Sequence, residues 1–502
     1  MNDFTFILNP EIKYSDAPFH PDNNYSEFNN VYTEFDINNS SYGSIRKILL
    51  ESGLDKENAG TTKWNPFRGL IHNGDKIVIK PNMVFEGKGK TTGTKCITTQ
   101  GDIIRPILDY IYLLQQNENI KVKVTICDVP IQGADFEKVI IETGLKQLVK
   151  YYSTNYDLEI EILDLRNIIA FDEGNHFLYK EIAKGDPLGY SIIHIENSFL
   201  NEIVKDYKKF GVSGYGFENT RNKHSKKGYH YYHIPNTILN CDLFINLPKL
   251  KTHKKAGITI ALKNLIGIVG DKSWIPHYRK GSSKFGGDEF DEKNRFLKSV
   301  TTSTSDYLQG KSRIVWKLAR GFNEKIVKKY FREDYTRNDL SDYEKKSKFL
   351  VNGDWYGNDT IWRPVLDLNY LLWYVDKNGK LKDTIQRKYI CFTDGIIAGE
   401  GDGPLEPDAK PLGLLGVSFN PIINDLCFSR IMGFDWTKIP QLKRSKEISK
   451  AFNFDGDNNN IEILGYEKSS NTNDNFRKYK FKDLPNLKFL PPPGWKDHIE
   501  II

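Results

Sequence analysis

Leu243-Phe244-Ile245-Asn246-Leu247-Pro248-Lys249-Leu250-Lys251-Thr252-His253 decides how the rest of this chain reads. Residues 243–247 are an almost unbroken apolar run of strand length. After Gly257 the period changes: Ile258, Ala261, Leu262, Leu265, Ile266 and Val269 follow helical spacing. The unit therefore reads as strand, basic loop, buried helix. A continuous apolar strand suits a parallel sheet covered on both faces. In such sheets ligands bind outside the carboxyl ends of the strands. Lys249, Lys251 and His253 alternate, so in extended chain they point to one side. The loop leads into a helix N-terminus, which favours an anion. Two lysines and a histidine after a proline also suit a plain solvated connection. Alternation, strand end and helix dipole together point to an anion site.

Outward from this unit the pattern of strand and helix repeats. Asp75–Lys80 reads as a strand ending in Lys80-Pro81-Asn82, and Ile103–Gln115 as a helix. Val122–Ile126 is the next strand, ending at Asp128, and Phe136–Tyr152 is helical. Leu158–Leu163 is a further strand. Lys388–Phe392 ends in Thr393-Asp394-Gly395, and the glycine-rich loop Gly399-Glu400-Gly401-Asp402-Gly403-Pro404 follows. Leu414–Ser418 is a strand and Pro421–Met432 a helix. The spacing predicts an α/β fold, a mostly parallel sheet layered with helices, with a mainly helical insertion. Residues 1–60 read as an irregular lead-in with a helix near Tyr42–Ser52. Residues 61–270 and 361–440 form the two parts of the core, 271–360 the insertion, and 441–502 a tail packing on the core. Tyr229–His233 reads as an aromatic packing edge. Within the insertion Ile314, Val315, Leu318, Phe322, Ile326 and Tyr330 share one face of a basic helix. Such a helix packs on its own protein or lies on a membrane surface.

The chain has 502 residues, 39% hydrophobic and 13% aromatic, which allows a sizeable core. Its 71 basic and 65 acidic residues give a formal charge of +6. That is mild for the length and excludes a nucleic-acid surface. Cys96, Cys127, Cys241, Cys391 and Cys427 are widely spaced, with no Cys-x-x-Cys pair. A zinc ribbon and a bound iron–sulfur cluster are therefore not expected. The odd count without a framework fits a reducing compartment. With no basic-then-apolar start and no apolar run near 20 residues, the expectation is a cytoplasmic protein without a transmembrane segment.

Leu247-Pro248-Lys249-Leu250-Lys251-Thr252-His253, Gly257-Ile258-Thr259 and Leu262-Lys263-Asn264-Leu265-Ile266-Gly267 resemble the signature of the DUF362 family. Lys80-Pro81-Asn82, Asp128, Asp394-Gly395, Glu400-Gly401-x-Gly403-Pro404, Asn420-Pro421 with Asp425, and the closing Pro-Pro-Gly-Trp extend the resemblance over about residues 60 to 500, less 271–360. The family's biochemical role is largely open, so the resemblance implies a fold more than a reaction. Some members carry ferredoxin-type iron–sulfur domains. One departure is Asn420, where many members are expected to have Asp.

Four predicted strand ends carry polar side chains: Lys80 with Asn82, Asp128, Lys249 with Lys251 and His253, and Asp394. If the strands are parallel neighbours these ends share one edge of the sheet. The leading reading is an enzyme acting on a small phosphate- or carboxylate-bearing substrate. His253 is the candidate general acid–base, since its reference pKa of about 6.5 serves both roles near neutrality. Lys251 and Asp128 join it as catalytic candidates, Asp128 to orient it or to hold a metal. Lys80, Asn82, Lys249, Lys263 and Asn264 are the candidate substrate-binding residues. Asp394, Glu400 and Asp402 are the candidate ligands of a divalent metal. The loop Gly87–Thr94 could cradle an anion through its backbone, but it is not a Walker A motif. Asp455–Asn459 reads as a turn rather than a calcium loop, lacking glycine at the sixth position and Glu at the twelfth. No zinc-protease, nucleophile-elbow or dinucleotide motif occurs. Two rival classes stay open: a cofactor- or ligand-binding protein serving a separate redox partner, and a scaffold using the basic helix.

Overall fold

Leu243–Leu247 lies inside an eleven-stranded sheet of a computed structural model. The structure describes residues 1–87, 93–172, 177–212, 218–308, 341–449, 454–468 and 475–501, with isolated positions at 318, 321 and 325. In chain order the strands are β1 (Phe4–Leu8), β2 (Lys76–Pro81), β3 (Lys123–Asp128), β4 (Glu159–Asp164), β5 (Leu243–Leu247), β6 (Lys249–His253), β7 (Gly257–Thr259), β8 (Lys388–Glu400), β9 (Asp408–Ser418), β10 (Ile463–Glu467) and β11 (Arg477–Tyr479). The order across the sheet is β11-β10-β1-β9-β8-β5-β2-β3-β4, with β6 beside β8 and β7 beside β6. β5 runs parallel to both β2 and β8, and β3 and β4 continue in the same sense. β7, β9 and β11 run against their neighbours. The fold is α/β with a mostly parallel sheet, as the strand–helix alternation predicts.

Both faces of the sheet are covered, which is why β5 reads as apolar throughout. Leu243, Ile245 and Leu247 pack with Ile77, Ile79 and Ile390 under the helices Gly101–Glu118 and Leu145–Asn155. Phe244 points the other way, into a core with Val78, Leu262, Val365 and Leu426. That side is roofed by the helices Trp362–Tyr374 and Pro421–Met432.

The basic stretch is not a loop. β5 and β6 lie end to end along the long strand β8, which pairs with Leu243–Asn246 and then with Lys249 and Lys251. Backbone partners offered by β8 hold Lys249–His253 extended, and Pro248 sits at the junction. The Pro248 carbonyl accepts from Asp394 N at 2.9 Å. The helix expected from Ile258 is also shorter. Residues 257–259 form β7, which returns along β6, and Gly257 takes φ +78°, a conformation other residues avoid. Only Ala261–Asn264 is α-helical, followed by a 3₁₀ turn over Leu265–Ile268.

Other differences have similar causes. Phe136–Tyr152 is two helices, Phe136–Glu142 and Leu145–Asn155, broken where Gly144 adopts φ +72°. The lead-in holds the helix Ser40–Glu51 and also contributes β1, paired with β9 and β10. His230–Pro235 is a strand paired antiparallel with Tyr190–Ile195, so the aromatic run is sheet. β8 extends through Gly399 and Glu400, residues read as loop from sequence. The tail adds β10 and β11 at the sheet edge. Asp455–Asn459 is a set of tight turns closed by the Asp455 and Asp457 side chains. No helix among the described residues is long and apolar enough to cross a membrane. The basic helix near 314–330, apart from isolated positions, and residues 88–92 of the Gly87–Thr94 loop lie outside the described residues.

Asn420 caps the helix Pro421–Met432: its side-chain oxygen accepts from Ile422 N at 2.9 Å and Ile423 N at 3.3 Å. The cap needs an acceptor and not a charge, which explains why Asn can stand where Asp is expected. Asn420→Ala should lower the unfolding free energy by about 1 kcal/mol, while Asn420→Asp should retain it. Denaturant melts of the three proteins check this; equal loss in both variants would contradict the capping role.

Candidate functional site

Three of the four predicted strand ends meet in one buried polar network. Lys80, at the end of β2, pairs with Asp128, at the end of β3, at 2.7 Å. Lys80 Nζ also donates to the Pro81 carbonyl and to Asn264 Oδ1, each at 3.1 Å. Asn82 Nδ2 donates to the same Asn264 oxygen at 2.9 Å. Lys251 Nζ in turn donates to Asn82 Oδ1 at 3.1 Å and to the Ile97 carbonyl. Asn264 Nδ2 donates to Asn246 Oδ1 at 2.7 Å, drawing in the one polar side chain of β5. Buried amides and ammoniums persist only when partnered in this way.

Asp128 has no hydrogen bond to His253. Its oxygens take Lys80 and the backbone N–H of Met83 and Val129, so orienting the histidine is not its part. The fourth strand end forms a separate buried group. Lys249 Nζ lies 3.0 Å from Asp394 Oδ2 and donates to the Tyr14 hydroxyl, which donates to Asp394 Oδ1 at 2.6 Å. Burial pushes the Lys249 ammonium down and the Tyr14 phenol up.

The metal reading fails on placement. Asp394 is paired with Lys249, Glu400 with Lys410 at 2.8 Å, and Asp402 with Lys346. Asp394 and Glu400 are six residues apart on β8, about 20 Å along an extended strand. Among the described residues no three acids, histidines or cysteines gather in a form that could hold a metal. Glu400 instead accepts from Leu490 N and so ties down the tail.

The helix N-terminus is also occupied from within. Ala261 N and Leu262 N donate to the Asp425 carboxylate at 2.8 and 3.0 Å. The place an anion would take is filled by the chain's own carboxyl group, whose pKa burial raises to about 7.

What remains open is a cluster of cations. His253 feels Lys263, Lys255, Lys251 and His277, and burial with these charges drives its pKa well below the ordinary value. Its Nδ1 accepts from Lys255 N at 3.1 Å, so the neutral ring carries its proton on Nε2. Burial likewise pushes Lys251, Lys263 and Lys272 down to about 7. His277, a ring donating from Nδ1 to the Ile275 carbonyl, is pushed down to about 3, again mainly by burial. Lys255 is held by Asp354 at 2.6 Å. Lys263 is 7% exposed and, among the described residues, meets no acceptor. Thr259, directly across from Lys251, has a buried hydroxyl equally without a partner.

Residues 191–430 match the family model described as Domain of unknown function (DUF362). The chain carries a DUF362 domain. The match includes β5 to β8, the cation cluster and residues 271–360; Lys80, Asn82 and Asp128 complete the network from outside it. No curated protein matches. A crystal structure of a protein from Thermotoga maritima is similar at 9% identity and a TM-score of 0.27, covering 82% of this chain and 59% of that one. A likeness that slight says nothing of fold or function.

Sequence reading missed Tyr14, Asn246, Lys255, Lys272 and His277. Asn246 carried a signal, a polar residue inside a buried strand. Lys255 sits in a Lys-Lys run that reads as solvated, and Lys272 and His277 fall in the stretch assigned to an insertion. Tyr14 carries no local signal.

The depressed lysines set a pH dependence. Unfolded lysines keep their protons to about pH 10.4, whereas these three in the folded chain release theirs from about 7. Between those values the unfolded chain binds more protons, so stability rises with pH. Denaturant melts in buffers free of phosphate and sulfate should show a gain from about pH 7 to 9, at most about 1.4 kcal/mol per pH unit per lysine. A flat or falling profile would contradict the assignment.

Proposed function

We propose that this DUF362 protein is an enzyme that binds a small phosphate- or carboxylate-bearing substrate among Lys251, Lys255, Lys263 and His253. The observation that carries the reading is the surplus of buried positive charge. The nearby acids are already committed: Asp128 to Lys80, Asp354 to Lys254 and Lys255, Asp394 to Lys249, Asp425 to backbone, and Glu289, which also acts on Lys255, to the Gly281 N–H. Burying cations without counter-ions is costly unless a ligand supplies the opposite charge.

The roles follow from the hydrogen bonding. Lys80, Asn82, Asn264 and Asp128 hold the frame, because their polar atoms are used within the protein. Lys251 and Lys263 supply charge to the anion. His253 presents an Nε2–H donor to the site. A bound anion counters the lysines that depress the histidine, raising its pKa towards the range where it can both give and take a proton.

Thermal unfolding with sulfate, phosphate esters and small dicarboxylates tests the reading. A ligand at a hundredfold excess over its Kd should add about 2.7 kcal/mol of stability. Lys263→Met and His253→Ala should each lose most of that increment while remaining folded. If no anion stabilises the native chain, or both variants respond as it does, the site is elsewhere.

A further inference from the structure

Six lysines converge on the carboxyl end of the sheet, and five of them have acceptors. Lys80 has Asp128, Lys249 has Asp394, Lys251 has Asn82, Lys255 has Asp354, and Lys272 donates to the Ile266 carbonyl. Lys263 differs: among the described residues nothing accepts from its amine, although the residue is only 7% exposed. The backbone beneath it is fixed. Asp425 takes Ala261 N and Leu262 N, the Asn264 side chain is bonded to Lys80, Asn82 and Asn246, and the Leu262 carbonyl accepts from Asn369. A rigid turn therefore presents one amine without a fixed partner.

The surroundings suit that amine to a particular chemistry. Burial and the charge of Lys255 push its pKa to about 7, so much of it is uncharged at neutral pH. A lysine desolvated beside another cation is a nucleophile towards carbonyl carbon. The neighbouring charges, Lys251, Lys255 and His253, would hold the acidic end of the same molecule.

We propose that Lys263 forms an imine with the carbonyl group of an oxo compound bearing a carboxylate or a phosphate, an inference that rests on the anion-site reading above. The Nζ lone pair adds to the carbonyl carbon as the C=O π pair moves to oxygen. Proton transfer from nitrogen to that oxygen gives a carbinolamine. Its hydroxyl leaves as water as the C=N bond forms. Nothing is oxidised or reduced, and no other reactant is required. His253, once the bound anion lets its ring take up a proton, is the neighbouring group suited to protonate the departing hydroxyl.

Hydride trapping tests this on the full chain. Glyoxylate, an aldehyde with a carboxylate, and glycolaldehyde phosphate, an aldehyde with a phosphate, are incubated separately with the protein and sodium borohydride. Peptide mass mapping should find a reduced adduct at Lys263 with at least one probe, and sulfate should suppress it. Which probe labels better distinguishes the two acidic groups. In the native chain, labelling at Lys263 should reach half its maximum near pH 7, while surface lysines continue to gain towards about pH 10.4. Lys263→Arg should lose the adduct and leave surface labelling unchanged. Sulfate stabilisation without any adduct at Lys263 would overturn the imine and leave the anion site standing. Absence of both would overturn both. Because the pH profile is read on the native chain, the test does not depend on the variant folding.

Discussion

The pairing of Lys80 with Asp128 across β2 and β3 leaves room for nothing larger than glycine where the chain crosses it. A Cβ at Gly267 would stand 2.2 Å from Asp128 Oδ1 and 2.6 Å from Lys80 Nζ. The Gly267 carbonyl accepts from Val129 N at 3.0 Å, locking the segment after β7 to the end of β3. A buried ion pair of this kind adds little net stability, but removing one member leaves a charge stranded in a poor solvent for it. Position is what it secures: it fixes where Asn264, and so Lys263, can lie.

From that anchor the lysines divide by what their amines touch. Those facing Asp128 and Asp394 are bound into the fold and cannot serve a ligand without breaking it, whereas Lys255 shares Asp354 with Lys254 and keeps charge to spare. Lys251 is intermediate, held only by neutral oxygens of Asn82 and Ile97. Among the described residues Lys263 has no such hold. A bound anion would meet cations already desolvated and already positioned, so little reorganisation would accompany binding. This is the physical sense in which the network supports a site without forming it.

Much of this architecture was legible in the sequence. The alternate burial of Leu243, Phe244 and Ile245 on opposite faces is what an apolar strand in a covered parallel sheet implies, and the neighbours β2 and β3 follow from the same pattern. The extended state of Lys249–His253 was not legible, because it depends on β8, more than a hundred residues away in the chain. Nor was the occupant of the helix N-terminus, since Asp425 arrives from another helix. The acidic trio misled because three carboxylates close in sequence, or on one strand, need not be close in space; each had a lysine waiting. The convergence of Lys80, Asn82, Asp128 and Lys251 was inferred from strand ends alone, and it rests on the parallel register. Lys255, Lys272 and His277 were invisible because a lysine's burial is set by what folds over it.

Proton uptake on anion binding tests the central account most directly. Sulfate suits the measurement because it has no proton to exchange near neutrality. Calorimetric titration at about pH 8, in two buffers of different ionisation enthalpy, separates the heat of binding from that of proton transfer. A site built from depressed lysines and a neutral histidine must take up protons as the anion restores their charge, so the apparent enthalpy should differ between buffers in the direction of net uptake. Binding with no proton exchange, or with release, would contradict the account.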